Sequence, residues 1–220
     1  MTTLIFIRHA MSEGNVLGVC SGQKNYPLVE QGFEQAKRLS EYLFETYPIK
    51  AIYSSDLLRC VQTAEPTAKA FGFPIHPDAR LREVCVGEWE GIHWKQVATQ
   101  NEELYRAWSA FRMHRDDPRP RGAESFEDVV ERMNEVIREI VTAHTGEHVA
   151  VFLHGKALRT MTHVWRKNCP VADAFLSDRK AYGGASCTLV EFDDDGKFVR
   201  VILPGYNDFL QKQDRVVAPE

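Results

Sequence analysis

Leu4-Ile5-Phe6-Ile7-Arg8-His9 is the stretch on which the fold of this chain turns. An apolar run with no polar residue inside it is the pattern of a strand buried on both faces, as in a parallel sheet covered by helices. The run ends at a guanidinium and an imidazole. Two later stretches repeat this arrangement. Ala51-Ile52-Tyr53 leads into Ser54-Ser55, with Arg59 at the opening of the next helical stretch, and Val149-Ala150-Val151-Phe152-Leu153 leads into His154-Gly155. Helical patterns lie between the strands. Gly32 precedes Ala36, Leu39, Leu43 and Tyr47 on one face, and Pro48 closes that helix. Leu57 to Ala70 reads as a second helix, which Pro66 is expected to bend or divide. Lys156 to Arg166 reads as a third. Cys187–Phe192 and Phe198–Leu203 flank the turn Asp193-Asp194-Asp195-Gly196-Lys197 and predict two antiparallel strands. Alternation of buried strands with amphipathic helices predicts a three-layer α/β/α architecture with a mostly parallel central sheet.

Between Glu83 and Gly122 the composition changes. Trp89, Trp94 and Trp108 fall here, and from Arg106 to Arg121 five arginines stand against Asp116 and Asp117. This stretch, at about 84–121, is expected to be a cap inserted over the active-site end of the sheet, within a single domain spanning 1–220. Ser125-Phe126-Glu127-Asp128 then reads as a capping box opening a long helix, with Phe126, Val129, Met133, Val136 and Ile140 along one face.

The whole chain has 220 residues, 44% of them apolar and 26% charged, with a formal net charge of -4. That balance argues against a dedicated nucleic-acid binder. No apolar stretch approaches the roughly 20 residues of a membrane-spanning helix, and the apolar run at Leu4–Ile7 is too short for a secretory signal. Cys20, Cys60, Cys85, Cys169 and Cys187 are scattered without a CxxC pair, as expected of free thiols in a cytoplasmic protein. Eight histidines show no HExxH pattern, no strand is followed by GxSxG, and no GxGxxG occurs. No metal and no cofactor are expected.

Open α/β sheets bind ligands beyond the carboxyl ends of their strands. If the three apolar strands run parallel and adjacent, Arg8, His9, Arg59 and His154 converge in one crevice. Paired guanidiniums offer planar forks of donors to an anion with several oxygens. A neutral imidazole can attack phosphorus and split one difficult transfer into two. Such a pocket suits phosphoryl transfer without a metal.

The motifs in chain order are Leu4–Ala10 with Glu13 and Asn15; Ser21-Gly22 and Pro27-Leu28; Gly32 with Gln35-Ala36; Ser54-Ser55-Asp56-Leu57-Leu58-Arg59 with Gln62-Thr63-Ala64; Leu81-Arg82-Glu83 with Gly87-Glu88-Trp89-Glu90-Gly91; Gly122-Ala123-Glu124-Ser125; and His154-Gly155. Together they resemble the signature of the histidine phosphatase superfamily, in its phosphoglycerate-mutase-like branch, across roughly residues 4 to 160. The resemblance implies that His9 is the nucleophile that becomes phosphohistidine. It implies that Arg8, Arg59 and His154 surround the transferred group, and that Glu83 is first general acid and then general base. Asn15, Ser21 and Gly22 would contact the phosphoryl group or the substrate.

The pattern departs from the family at three places. Ala10 replaces a frequent glycine, Val29 stands where a threonine usually caps the next helix, and Lys156 stands where a small residue often follows His-Gly. Lys156 either faces the substrate and favours an acidic leaving group, or points to solvent. Glu83 and His154 are 71 positions apart, a short connection closer to the phosphatases than to the glycolytic mutases. The resemblance therefore implies a histidine acid-type phosphatase hydrolysing a small phosphomonoester, with phosphate or another oxyanion in the pocket and room for a homodimer. The alternatives are a cofactor-dependent phosphoglycerate mutase and, from another class, a non-catalytic module that binds a phospholigand or a protein. Cap aromatics would hold an apolar part of the substrate, and Arg112, Arg115 or Arg121 an acidic part.

Overall fold

The structure is a computed structural model that describes residues 1–166 and 183–210. Strand β1 (Thr2–Arg8) is followed by a short helix α1 (Glu13–Val16), helix α2 (Glu30–Thr46), strand β2 (Ile49–Ser54), helix α3 (Leu58–Phe71) and the short strand β3 (Ile75–Pro77). Helices α4 (Trp94–Gln100), α5 (Glu102–Ser109) and α6 (Phe126–Ala143) precede strand β4 (His148–Leu153), helix α7 (Gly155–Arg166), and strands β5 (Cys187–Phe192) and β6 (Phe198–Tyr206).

The sheet has six strands in the order β3-β2-β4-β1-β5-β6. β1 pairs with β4 and β4 with β2 in parallel, so the three apolar strands are adjacent. β3 extends the parallel part, while β5 and β6 run antiparallel at the other edge.

Strand side chains alternate between faces, and this splits the interior into two cores. Ile5, Ile7, Ile52, Ala150 and Phe152 pack with Ala36, Leu39 and Leu43 of α2 and with Cys60 and Ala64 of α3. On the other face, Leu4, Phe6, Val149, Val151 and Leu153 pack with Met133, Val136 and Ile140 of α6 and with Leu158, Met161 and Trp165 of α7. Each large side chain buried in this way contributes about 1.5–3 kcal/mol. Among the described residues no helix is long and apolar enough to cross a membrane.

Ser125 caps α6 with the reciprocal bonds expected of a capping box: its side chain accepts from Asp128 N, and Asp128 accepts from Ser125 N. Val29 stands at the N-cap of α2 and makes no side-chain cap. Pro66 does not divide α3, which runs unbroken through it. Its neighbours Ala64 and Thr67 are fully buried, and that packing outweighs the lost backbone bond. β3, α1, α4 and α5 are too short to impose a periodicity on the sequence. Cys169 lies outside the described residues.

The stretch 84–121 begins and ends at one place. Val86 forms a bridge with Ala123, and Glu124 N donates to Cys85 O at 3.0 Å. Gly87 has φ 55° and lies so close to Arg121 O that a Cβ there would approach it to 2.2 Å, which is why this crossing needs glycine. Trp94 and Trp108 join α4 to α5, with ring centroids 5.1 Å apart. Trp89, Val97 and Met113 belong to the same buried cluster as α6 and β4.

Candidate active site

Three parallel strands end side by side, and the residues that follow them meet. His9 N donates to Leu153 O at 3.0 Å, which sets the chain just after β1 against the end of β4. The rings of His9 and His154 have centroids 5.3 Å apart. Arg59, in the first turn of α3, is 1% exposed, and its Nε donates to Nδ1 of His154 at 3.2 Å.

The hydrogen-bond partners identify the tautomer of each ring. Nδ1 of His9 lies 2.8 Å from Ala10 O. A carbonyl only accepts, so Nδ1 carries the proton and Nε2 of the neutral ring carries the lone pair. Ala10 is itself held, since its N–H donates to Thr63 Oγ1 at 3.0 Å and that hydroxyl donates to Arg59 O at 2.6 Å. For His154 the order is reversed. Arg59 can only donate, so Nδ1 accepts, and Nε2–H donates to Ser55 Oγ at 2.9 Å.

Burial, reinforced by the charges of Arg59 and Arg8, holds the proton affinity of His9 well below the ordinary imidazole value. His154 shifts the same way, chiefly by burial and then through Arg59 and His9. Burial also lowers the Arg8 pKa to about 10, opposed by Glu83 and assisted by Arg59 and Arg159. Two neutral imidazoles beside two guanidiniums leave the pocket positive, as an oxyanion site requires.

The guanidinium of Arg59 also binds the loop after α1. Nη1 donates to Lys24 O and Nη2 to Gly22 O, both at 2.8 Å. Arg8 fits against the start of α7 because residue 155 is glycine: a Cβ there would lie 3.1 Å from Arg8 Nε. Glu83 faces the same helix start. Its Oε1 accepts from Val84 N at 3.0 Å and Ala157 N at 2.8 Å, and its Oε2 from Lys156 N at 3.1 Å. Amides at a helix N-terminus are natural donors to a carboxylate.

Arg8, His9, Arg59, Glu83 and His154 are thus brought together, and Gly22 joins them through its carbonyl. The other two expected contact residues lie in and after α1. Asn15 Oδ1 accepts from Ser12 N at 3.1 Å and Ser12 Oγ at 3.0 Å. Ser21 Oγ packs over Gly14, where a Cβ would meet it at 2.2 Å.

Lys156 makes its contacts on α5 and the residues just after it. Its Nζ donates to Trp108 O at 2.9 Å and lies 4.1 Å from the Trp108 ring centroid and 3.8 Å from that of Phe111. Carbonyls at the C-terminal end of α5 and two aromatic faces hold the ammonium. Two of the three arginines expected to meet an acidic group face carboxylates. Arg115 pairs with Asp128 and Glu131, Arg121 lies 3.9 Å from Glu88, and Arg112 lines a groove with Glu102, Glu103 and Arg106. Trp89 is core, at 2% exposure.

Sequence reading gave no role to Ser55, Gln23 or Arg132. Ser55 directly follows β2 beside the site, a signal that was present. Gln23, whose Nε2 donates to Glu83 O at 3.1 Å, and Arg132 carry no local pattern. Among the described residues no group of His, Cys, Asp or Glu is clustered closely enough to hold a metal ion.

The model of the histidine phosphatase superfamily (branch 1) matches residues 4–203. The chain is similar to the metal-independent phosphoserine phosphatase of Arabidopsis thaliana, 34% identical over 162 residues that cover 73% of this chain and 67% of the relative. It is also similar to the glucosyl-3-phosphoglycerate phosphatase of Mycolicibacterium vanbaalenii, 33% identical over 168 residues covering 72% of each. Among solved structures, YhfR of Bacillus stearothermophilus aligns with a TM-score of 0.79 at 31% identity, covering 95% of this chain and 99% of that one.

Proposed function

The chain belongs to the histidine phosphatase superfamily (branch 1), and from that premise we propose that it is a phosphatase of a small phosphorylated metabolite that works through a phosphohistidine at His9. The observation that carries this reading is the 2.8 Å bond between His9 Nδ1 and Ala10 O, which leaves Nε2 as a neutral nucleophile beside the half-buried Arg8 and the buried Arg59.

In the first step Nε2 of His9 attacks phosphorus and the bond from phosphorus to the leaving oxygen breaks. Glu83 gives that oxygen a proton. Of its two carboxyl oxygens Oε1 accepts two amides and Oε2 one, so Oε2 has the lone pair for the proton in transit. In the second step Glu83 takes a proton from water, the hydroxyl oxygen attacks the phosphohistidine, and phosphate leaves with the imidazole restored. Arg8 and Arg59 hold the non-bridging oxygens as charge develops. His154 orients Arg59 through the Nε–Nδ1 bond. Asn15, Ser21 and Gly22 are read as the residues that contact the phosphoryl group or the substrate.

The substrate class is supported by the relatives, whose names are phosphatases of phosphoserine and of glucosyl-3-phosphoglycerate. We take residues 84–121 as a cap within a single domain. We also read the chain as a histidine acid-type phosphatase, in which suppressed protonation of His9 keeps the nucleophile available in acid. We also infer a cytoplasmic setting, in keeping with Cys20, Cys60, Cys85 and Cys187 as free thiols.

The test is turnover of p-nitrophenyl phosphate, with an acid-labile phosphoenzyme trapped on rapid quench. Both are expected to vanish in His9→Ala. Release of inorganic phosphate rather than a transferred phosphoryl group separates a phosphatase from a mutase. Phosphoester binding without turnover would instead indicate a binding module.

A further inference from the structure

The residue meant to donate the proton sits on a backbone with little regular structure of its own. Only a 3-10 turn at Ala79–Leu81 and another at Gly87–Trp89 flank Glu83. Peptide groups in such a segment must find their partners elsewhere, and one side chain supplies several of them. Arg132 projects from α6, and its Nη1 donates to Arg80 O at 2.6 Å and to Arg82 O at 2.8 Å. Its Nη2 donates to Glu83 O at 3.3 Å.

The remaining face of the guanidinium is taken by Glu124. Nε reaches Oε1 at 2.8 Å and Nη2 reaches Oε2 at 3.0 Å. Glu124 in turn accepts from Cys85 N at 2.8 Å. The pair therefore brackets Glu83 from residue 80 to residue 85. The Arg132 and Glu124 side chains are only 15% and 20% exposed, so solvent does little to compete for these bonds. A planar fork can hold successive carbonyls at fixed angles, which a lysine ammonium, as a single point of charge, cannot.

We propose that Arg132, braced by Glu124, is a positioning residue for Glu83: its fork holds the backbone from Arg80 to Cys85 so that the carboxyl meets the leaving oxygen. The proposal rests on the reading of Glu83 as proton donor. Arg132 touches neither substrate nor the reacting atoms.

Leaving groups provide the test. Departure of p-nitrophenolate needs almost no proton, whereas departure of an alkoxide from β-glycerophosphate needs one. Values of kcat/KM for both esters are measured on the full chain and on Arg132→Lys, with Glu83→Gln as the reference. The ratio of the two values for one preparation cancels any loss of folded enzyme, which a merely structural role would produce. Arg132→Lys is expected to lower kcat/KM for β-glycerophosphate about tenfold to a hundredfold, the scale of a small misplacement of a catalytic group, and to leave p-nitrophenyl phosphate within about twofold. Glu83→Gln should show the same selectivity with a larger loss.

Equal loss on both esters in Arg132→Lys, or no loss, with selectivity retained in Glu83→Gln, overturns the positioning role and leaves Glu83 in place. If Glu83→Gln itself is unselective, the assignment of Glu83 fails and the proposal falls with it. Should Arg132→Lys not fold, Glu124→Gln removes the brace and must shift the ratio in the same direction.

Discussion

Arg59 and His154 stand 95 positions apart in the chain, yet the Nε–H of the arginine donates to Nδ1 of the histidine at 3.2 Å, inside a pocket where both side chains are almost fully buried. A buried guanidinium must be satisfied donor by donor. Of the five N–H donors of Arg59, three go to one imidazole nitrogen and the carbonyls of Gly22 and Lys24. One residue thereby links a strand end, a helix start and the loop after α1.

That chain of bonds ends at Ser55, whose hydroxyl accepts from His154 Nε2 at 2.9 Å. Ser55→Ala leaves a buried N–H without that acceptor, at a cost of about 1–3 kcal/mol. A lower melting temperature is expected, together with weaker inhibition by vanadate, because the ring that orients Arg59 is no longer held. An unchanged vanadate affinity would show that the serine does not act through Arg59.

Stability should fall in mild acid for a definite reason. In the unfolded chain His9 and His154 titrate near 6.5, and in the folded protein well below it. Below pH 6.5 the unfolded state therefore binds more protons, so the contribution is intact above that value and is lost as pH falls towards the folded values. Melting temperatures across pH 5 to 8 are the check. A high concentration of phosphate, which favours protonated imidazoles, should reduce the loss.

The same shift shapes the rate. The acid limb of kcat/KM, which reports the free enzyme, should not appear at the ordinary histidine value but below it, since His9 stays neutral there. A limb centred on 6.5 would show that the nucleophile is more exposed to solvent than its burial here implies.

Gly155→Ala tests the fit of Arg8. The added methyl would lie 3.1 Å from Nε and 3.3 Å from Cζ of Arg8, tight enough to displace the guanidinium. A loss of about tenfold in kcat/KM is expected, less than the roughly hundredfold or more that follows complete removal of an oxyanion donor. The inhibition constant for vanadate should rise in parallel.

Lys156→Met keeps the aliphatic stem and the backbone N–H that serves Glu83, and removes only the ammonium. The bond to Trp108 O and the contacts with two rings would be lost, at a cost of about 1–2 kcal/mol. Thermal denaturation should register this, while kcat for p-nitrophenyl phosphate stays within about twofold. A collapse of kcat would mean that the ammonium acts on the substrate after all.

Much of this molecule was legible in its sequence because strand periodicity and chain neighbours suffice for it. The apolar runs ending at Arg8-His9, Ser54-Ser55 and His154-Gly155 determined the parallel sheet and the end of it that holds the site. Ser125 and Asp128 likewise announced the start of α6. The helices α4 and α5 and the strand β3 were not legible, since elements that short depend on tertiary packing rather than on their own pattern.

The sequence by itself determined which chemical groups gather at the strand ends. Only the tertiary structure decided how each group is held there: which nitrogen of His9 keeps its proton, that Lys156 turns towards Trp108 and Phe111, and that Arg132 bonds the backbone around Glu83. The physical reason is that proton placement and side-chain direction follow from donors and acceptors met across the fold. Those partners come from distant segments whose approach leaves no periodic trace in the chain.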